Sequence, residues 1–142
     1  MATRSILSTP PRLSILKGAA AYTLITFPLA AVWHMILFGQ LYWTFGYIEE
    51  QPSLALGFIT ILLQGLILSS IYPHISFQGS PLARGLKYGL AMGIFFWTSH
   101  VLAFIAKQSI SQPVLFAAME SFYLFLQFGI YGIFLGYIHR QS

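Results

Sequence analysis

Three side chains in this sequence could do chemistry together. His34 and His100 lie inside long apolar runs, and Glu120 is the one acidic residue not placed in a polar loop. Histidine is the side chain whose charge changes near neutral pH, and a carboxylate in lipid must find a partner or hold a proton. Counting about 1.5 Å of rise per residue from the neighbouring polar breaks places all three at one depth, roughly 10 Å below one surface. Four chemistries suit such a layer. It could be structural glue between helices, or a tetrapyrrole site in which His34 and His100 ligate haem iron or chlorophyll magnesium. It could be a divalent metal site of His34, His100 and Glu120, or a proton relay centred on Glu120. Met35 and Met119 adjoin two of the three, a ligand type that suits copper.

The elements that must hold these residues are apolar helices. The chain has 142 residues, 57% hydrophobic and 7% charged, whereas a soluble domain carries about 25% charged residues. Over most of its area the solvent is therefore lipid. Four runs at roughly 18–41, 54–72, 82–106 and 114–137 are close to the approximately 20 residues that cross about 30 Å of hydrocarbon. Polar and proline-rich breaks separate them: Glu49-Glu50-Gln51-Pro52, Pro73 through Pro81, and Lys107 through Pro113. Strand-type alternation is absent, and lipid leaves no partner for open backbone, so the expectation is an all-α bundle of four transmembrane helices in one domain, 1–142.

Charge fixes an expected orientation. Arg4, Arg12, Lys17, Arg84, Lys87 and Arg140 fall on one side, and Lys107 with Glu49 and Glu50 on the other. By the positive-inside bias both termini are cytoplasmic, and the first apolar run is an uncleaved span. The net charge of +4 is scattered beside spans, which speaks against nucleic acid as a partner. There are no cysteines, which removes disulfides and thiolate metal sites. No phosphate loop, H-E-x-x-H or nucleophile-elbow pattern occurs, so a soluble-type catalytic mechanism is not expected and the chain reads as a non-enzyme. His74 and His139, in a loop and the tail, are expected to be solvated. Tyr42, Trp43, Phe45 and Tyr47 are expected to form an aromatic belt at the outer interface.

Small and polar residues mark inward faces. Gly85, Gly89 and Gly93 make two overlapping G-x-x-x-G frames in the third span. Ser53, Gly57, Thr60 and Gln64 share a face of the second span, and Glu120, Tyr123 and Gln127 share one of the fourth. Gln64 and Gln127 should be buried near the midplane. Gly129, Gly132 and Gly136 lie on nearly the opposite side, a face free to meet the third span, a second copy or another subunit. A shift of 66 positions aligns Tyr22 with Tyr88, His34 with His100 and Phe38 with Phe104, and Gln-Pro opens both the second and fourth spans. The pattern points to a duplicated helical hairpin.

Four short spans, Trp33-His34 followed by Phe38-Gly39, and a glycine-rich third span resemble uncharacterised families of small bacterial membrane proteins. The resemblance implies a bacterial inner membrane and carries no activity or site residue. The leading functional expectation is a non-catalytic accessory subunit docking with other membrane proteins through its glycine faces. A haem, chlorophyll or metal-binding protein and a small proton-coupled transporter are the alternatives.

Overall fold

The computed structural model describes residues 12–48 and 51–140, so Arg4, Glu49 and Glu50 lie outside the described residues. The chain is all-helical and builds a four-helix bundle. Helix α1 (Arg12–Ala31) passes directly into a π-helical segment, Val32–Leu37, and a short α2 follows at Gly39–Phe45. Next come α3 (Leu54–Ile71), α4 (Pro81–Trp97) with a second π-helical segment at Thr98–Leu102, the short α5 (Ala103–Lys107), and α6 (Pro113–Ile138). Four continuous helical stretches, Arg12–Leu37, Leu54–His74, Pro81–Lys107 and Pro113–Ile138, are long and apolar enough to cross a membrane. The outward side chains agree with that: Leu24, Ile36, Phe125 and Val114 are 71–83% exposed, an arrangement stable only against lipid.

Helix starts follow local chemistry. The Ser53 and Ser80 side chains accept from the backbone N–H groups of Leu56 and Ala83, each satisfying an otherwise free donor of the first turn. Pro81 and Pro113 occupy first-turn positions, where a missing N–H costs nothing. Pro52 precedes the Ser53 cap and lies outside α3. The first helix already includes Arg12 and Lys17, upstream of Gly18.

Packing is unequal around the bundle. Helix α4 packs along α6, α1 along α3, and α1 more lightly on α6, while α3 and α4 scarcely meet. The α4–α6 seam is a glycine ladder. A Cβ added at Gly85 would collide with the Gly132 carbonyl, and one at Gly89 or Gly136 with the Phe128 or Pro81 carbonyl. Gly132 and Gly136 thus face the third span and are not free for an outside partner. Gly129 alone of that trio has open space beside it.

The segment after the first span is not an outer aromatic belt. Gly46, in the left-handed region at φ +77°, ends α2 as only glycine does without strain. The turn folds Tyr42 and Phe45 fully into the core, and only Trp43 points out, 57% exposed. Helix α2 therefore caps the bundle from within.

His74 is exposed, but His139 is 1% exposed and packs against Tyr72. Burial holds the His139 imidazole below its ordinary value, because desolvation disfavours the charged ring. The folded state thus prefers neutral His139, whereas the unfolded chain takes up its proton near pH 6.5. Stability is accordingly unaffected above about pH 6.5 and falls as pH drops through it. Thermal unfolding compared at about pH 7.5 and about pH 5.5 should show a loss at the lower value that His139→Phe reduces.

Candidate functional site

The site is built by two distortions of otherwise regular helices. In an α-helix adjacent residues such as Trp33 and His34 point about 100° apart. In the π-helical turn the Phe38 N–H reaches back to the Trp33 carbonyl at 3.1 Å, and the wider turn lets both side chains enter the core, each 8% exposed. The second π-helical segment carries His100 and Val101 in the same way, with Val101 fully buried and His100 half-buried. Such turns are rare and concentrate at functional sites.

Glu120, fully buried on α6, joins the two segments. Its Oε1 lies 2.8 Å from His34 Nε2 and accepts from the Tyr42 hydroxyl at 2.5 Å. Its Oε2 lies 2.7 Å from His100 Nε2. The Tyr47 hydroxyl sits 3.0 Å from that same His100 nitrogen, and Trp33 Nε1 donates to the Tyr42 hydroxyl at 2.8 Å. The structure thus brings His34, His100 and Glu120 into direct contact and adds three residues that sequence reasoning assigned elsewhere: Trp33, Tyr42 and Tyr47. A signal for the last two existed in Tyr42-Trp43-x-x-Gly46-Tyr47, where a glycine turn folds aromatic rings back.

Proton accounting defines the chemistry. His34 Nδ1 lies 3.0 Å from the Ala30 carbonyl, which only accepts, so Nδ1 carries a hydrogen. The short contact between His34 Nε2 and Glu120 therefore holds a second proton, on the imidazole or on the carboxyl. Whichever atom owns it, imidazolium with carboxylate or imidazole with carboxylic acid, the pair is neutral overall. Neutrality is what a low-dielectric interior favours. The His34 ring is flanked edge-on by Tyr42 and Tyr123, each with its ring centre 4.6 Å away, and Tyr47 stacks at 5.5 Å. The proton has three nearby owners.

Metal and tetrapyrrole readings fit this geometry poorly. Ligand atoms around a bound ion face the ion, but here the nitrogens face the carboxylate at hydrogen-bond distances. No group of three metal-ligating side chains arranged to hold an ion occurs among the described residues. A haem held by His34 and His100 would need its iron between the two Nε2 atoms, where Glu120 stands.

A chamber opens beside the triad. It has a volume of about 510 Å³ and is walled by Thr26, His34, Tyr47, Thr60, Gln64, His100, Tyr123 and Gln127, with apolar sides from Leu56, Ile61, Phe96 and Leu124. It fills the gap where α3 and α4 do not pack. At its floor Gln127 donates to the Tyr22 hydroxyl at 2.8 Å, which donates to Gln64 Oε1 at 3.1 Å. A second hollow of about 570 Å³ shares Tyr47, Ser53 and His100 with the chamber and adds Gln51, Ser99 and Phe104, forming its mouth.

No family model matches the chain, and no curated protein or solved structure does either. Function is therefore argued from the site. One structural prediction follows at once. Trp33→Phe removes the donor that orients Tyr42, and losing one buried hydrogen bond should cost about 1 kcal/mol, read as a lower Tm in detergent.

Proposed function

We propose that this chain is a small proton-coupled membrane carrier in which Glu120 holds the exchangeable proton and the chamber holds the solute. The observation that carries the reading is that Glu120, behind the chamber wall formed by His34 and His100, contacts both histidines of the two π-helical segments, at 2.8 Å and 2.7 Å. With Glu120 ionised, both histidines are clasped to it and the mouth beside His100 and Tyr47 is held. A proton held on Glu120 itself weakens both clasps, because a carboxylic acid attracts imidazolium far less than a carboxylate does. The mouth can then open. Proton occupancy and chamber access are linked through one side chain.

Outside the two histidines the chamber walls carry hydroxyls and amides with no fixed charge. The fitting solute class is a small neutral amphiphile. Basic residues Arg12, Lys17, Arg84, Lys87 and Arg140 at one end support cytoplasmic termini in a bacterial inner membrane. The two π-helical segments, one at 32–37 and the other at 98–102, fall at the shift of 66 that aligns His34 with His100. This coincidence supports a duplicated hairpin whose second α1–α6-type contact was lost, leaving the chamber.

The test is proton flux into proteoliposomes carrying an internal pH dye under an imposed gradient. Expected is a saturable, protein-dependent proton movement, and vesicles no leakier than protein-free ones would sink the reading. The accessory-subunit reading keeps one favouring observation, an apolar groove of about 460 Å³ between α4 and α6 floored by Gly89, Gly93 and Gly129. Native mass spectrometry showing stoichiometric co-purification with other membrane subunits, or with a second copy, would favour it.

A further inference from the structure

The interior of the bundle below the chamber is polar where lipid-embedded proteins have every reason to be apolar. Helix α6 carries Glu120, Tyr123, Gln127 and Tyr131 at steps of three, four and four, a stripe on its inner face, and His139 follows just past its end, eight positions on, with the buried Leu135 between. From Glu120 to His139 is 19 steps, about 28 Å at helical rise, which is close to the hydrocarbon thickness.

Neighbouring helices complete it. The Tyr123 ring is 4.6 Å from His34, and the Tyr22 and Tyr131 rings are 4.9 Å apart. The Tyr72 ring is 5.1 Å from Tyr88 and 5.2 Å from His139. All these rings are at least 95% buried except that of His34, which is 8% exposed.

Several polar atoms along the stripe have no hydrogen-bond partner among the described residues. They are Glu120 Oε2, close to His100 but not in hydrogen-bond geometry with it, Thr26 Oγ1 by the chamber floor, Ser69 Oγ and the Tyr131 hydroxyl below it, and the Tyr72 hydroxyl and both His139 nitrogens at the far end. A buried hydroxyl or imidazole without a partner costs free energy that phenylalanine or leucine would avoid. Orphans of this kind in native proteins are the sites that internal water fills. Water between hydroxyls can accept and donate at once, which is the requirement for moving a proton by successive hops.

We infer that a hydrated polar spine joins the chamber to the basic end of the bundle, and that His139 is the group exchanging protons between that side and Glu120. The inference rests on the carrier reading for its purpose but not for its existence.

Two measurements separate the claims. Radiolytic hydroxyl labelling of the full-length protein in detergent, read by mass spectrometry, reports water held beside a side chain even where bulk solvent is excluded. Tyr131, Tyr72 and His139 should label at least ~10-fold faster than Phe128, an equally buried ring on α6. Labelling of all three as slow as that of Phe128 would overturn the spine.

In proteoliposomes, His139→Phe should slow proton flux at least ~100-fold, and Tyr131→Phe, which keeps the ring and so the packing, should slow it at least ~10-fold. Unchanged flux in a folded Tyr131→Phe protein overturns the spine as a path, and unchanged flux in His139→Phe overturns the role of His139. If wild-type protein moves no protons, the carrier reading and the proton-exchange role of His139 fail together, and the labelling result still decides whether the spine is hydrated.

Discussion

Glu120→Gln is expected to cut proton flux in proteoliposomes at least ~100-fold while the protein stays folded. The glutamine side chain keeps the shape of glutamate. With the charge gone, neutral His34 keeps its one hydrogen on Nδ1 against the Ala30 carbonyl, so the amide nitrogen donates to His34 Nε2, 2.8 Å from the present Oε1. The amide oxygen then faces His100 Nε2, 2.7 Å from the present Oε2, and accepts from it in the tautomer protonated there. What vanishes is the charge and the exchangeable proton. Glu120→Leu separates the two roles, because it leaves His34 and Tyr42 buried without their acceptor. Stranding a buried partner in this way costs about 3–5 kcal/mol, enough to lower Tm sharply or prevent folding. A glutamine variant that moves protons like wild type would remove Glu120 from the mechanism, whatever the leucine variant does.

The largest structural effect is expected at the seam between α4 and α6. Gly85→Val should destabilise the bundle by about 3 kcal/mol or more, beyond the usual range for an overfilled core. The reason is what the new side chain meets. The obstacle at Gly85 is the Gly132 carbonyl, a backbone group that cannot rotate aside, and an added Cβ at Gly132 comes within 2.5 Å of the Gly85 oxygen. Relief requires the two helices to move apart along their whole length, which breaks the close packing that substitutes for a hydrophobic drive in lipid. Gly129→Ala is the control. Nothing lies within 4 Å of its added Cβ, and replacing glycine in a helix should be neutral or stabilising by up to about 1 kcal/mol. Unfolding in a denaturing detergent titration distinguishes the two. Equal stability of the Gly85 and Gly129 variants would contradict the seam.

Both expectations draw on features of differing legibility in the sequence. The glycines of the third span were marked by their four-residue spacing, and lipid makes such spacing meaningful. Their partners were left open, since the face of Gly132 and Gly136 could meet the third span, a second copy or another subunit. Which surface a helix turns to its neighbour depends on the crossing of two helices, not on either alone. The aromatic segment after the first span read as an interface belt because tyrosine and tryptophan favour that depth. The left-handed turn at Gly46 brings Tyr42 inside instead, where it binds Glu120. His139 read as solvated because it follows the last apolar residue, yet Tyr72 covers it.

The sequence by itself determined the number of spans, the common depth of His34, His100 and Glu120, and the inward polar face of each helix. These depend on hydrophobicity and on the fixed rise and turn of a helix, both local properties. Only the tertiary structure decided that the three groups touch, that π-helical turns aim two of them, and that α3 and α4 stand apart to leave a chamber. Those outcomes depend on how whole helices lean and interlock, and a single mis-sized contact between distant residues changes them all.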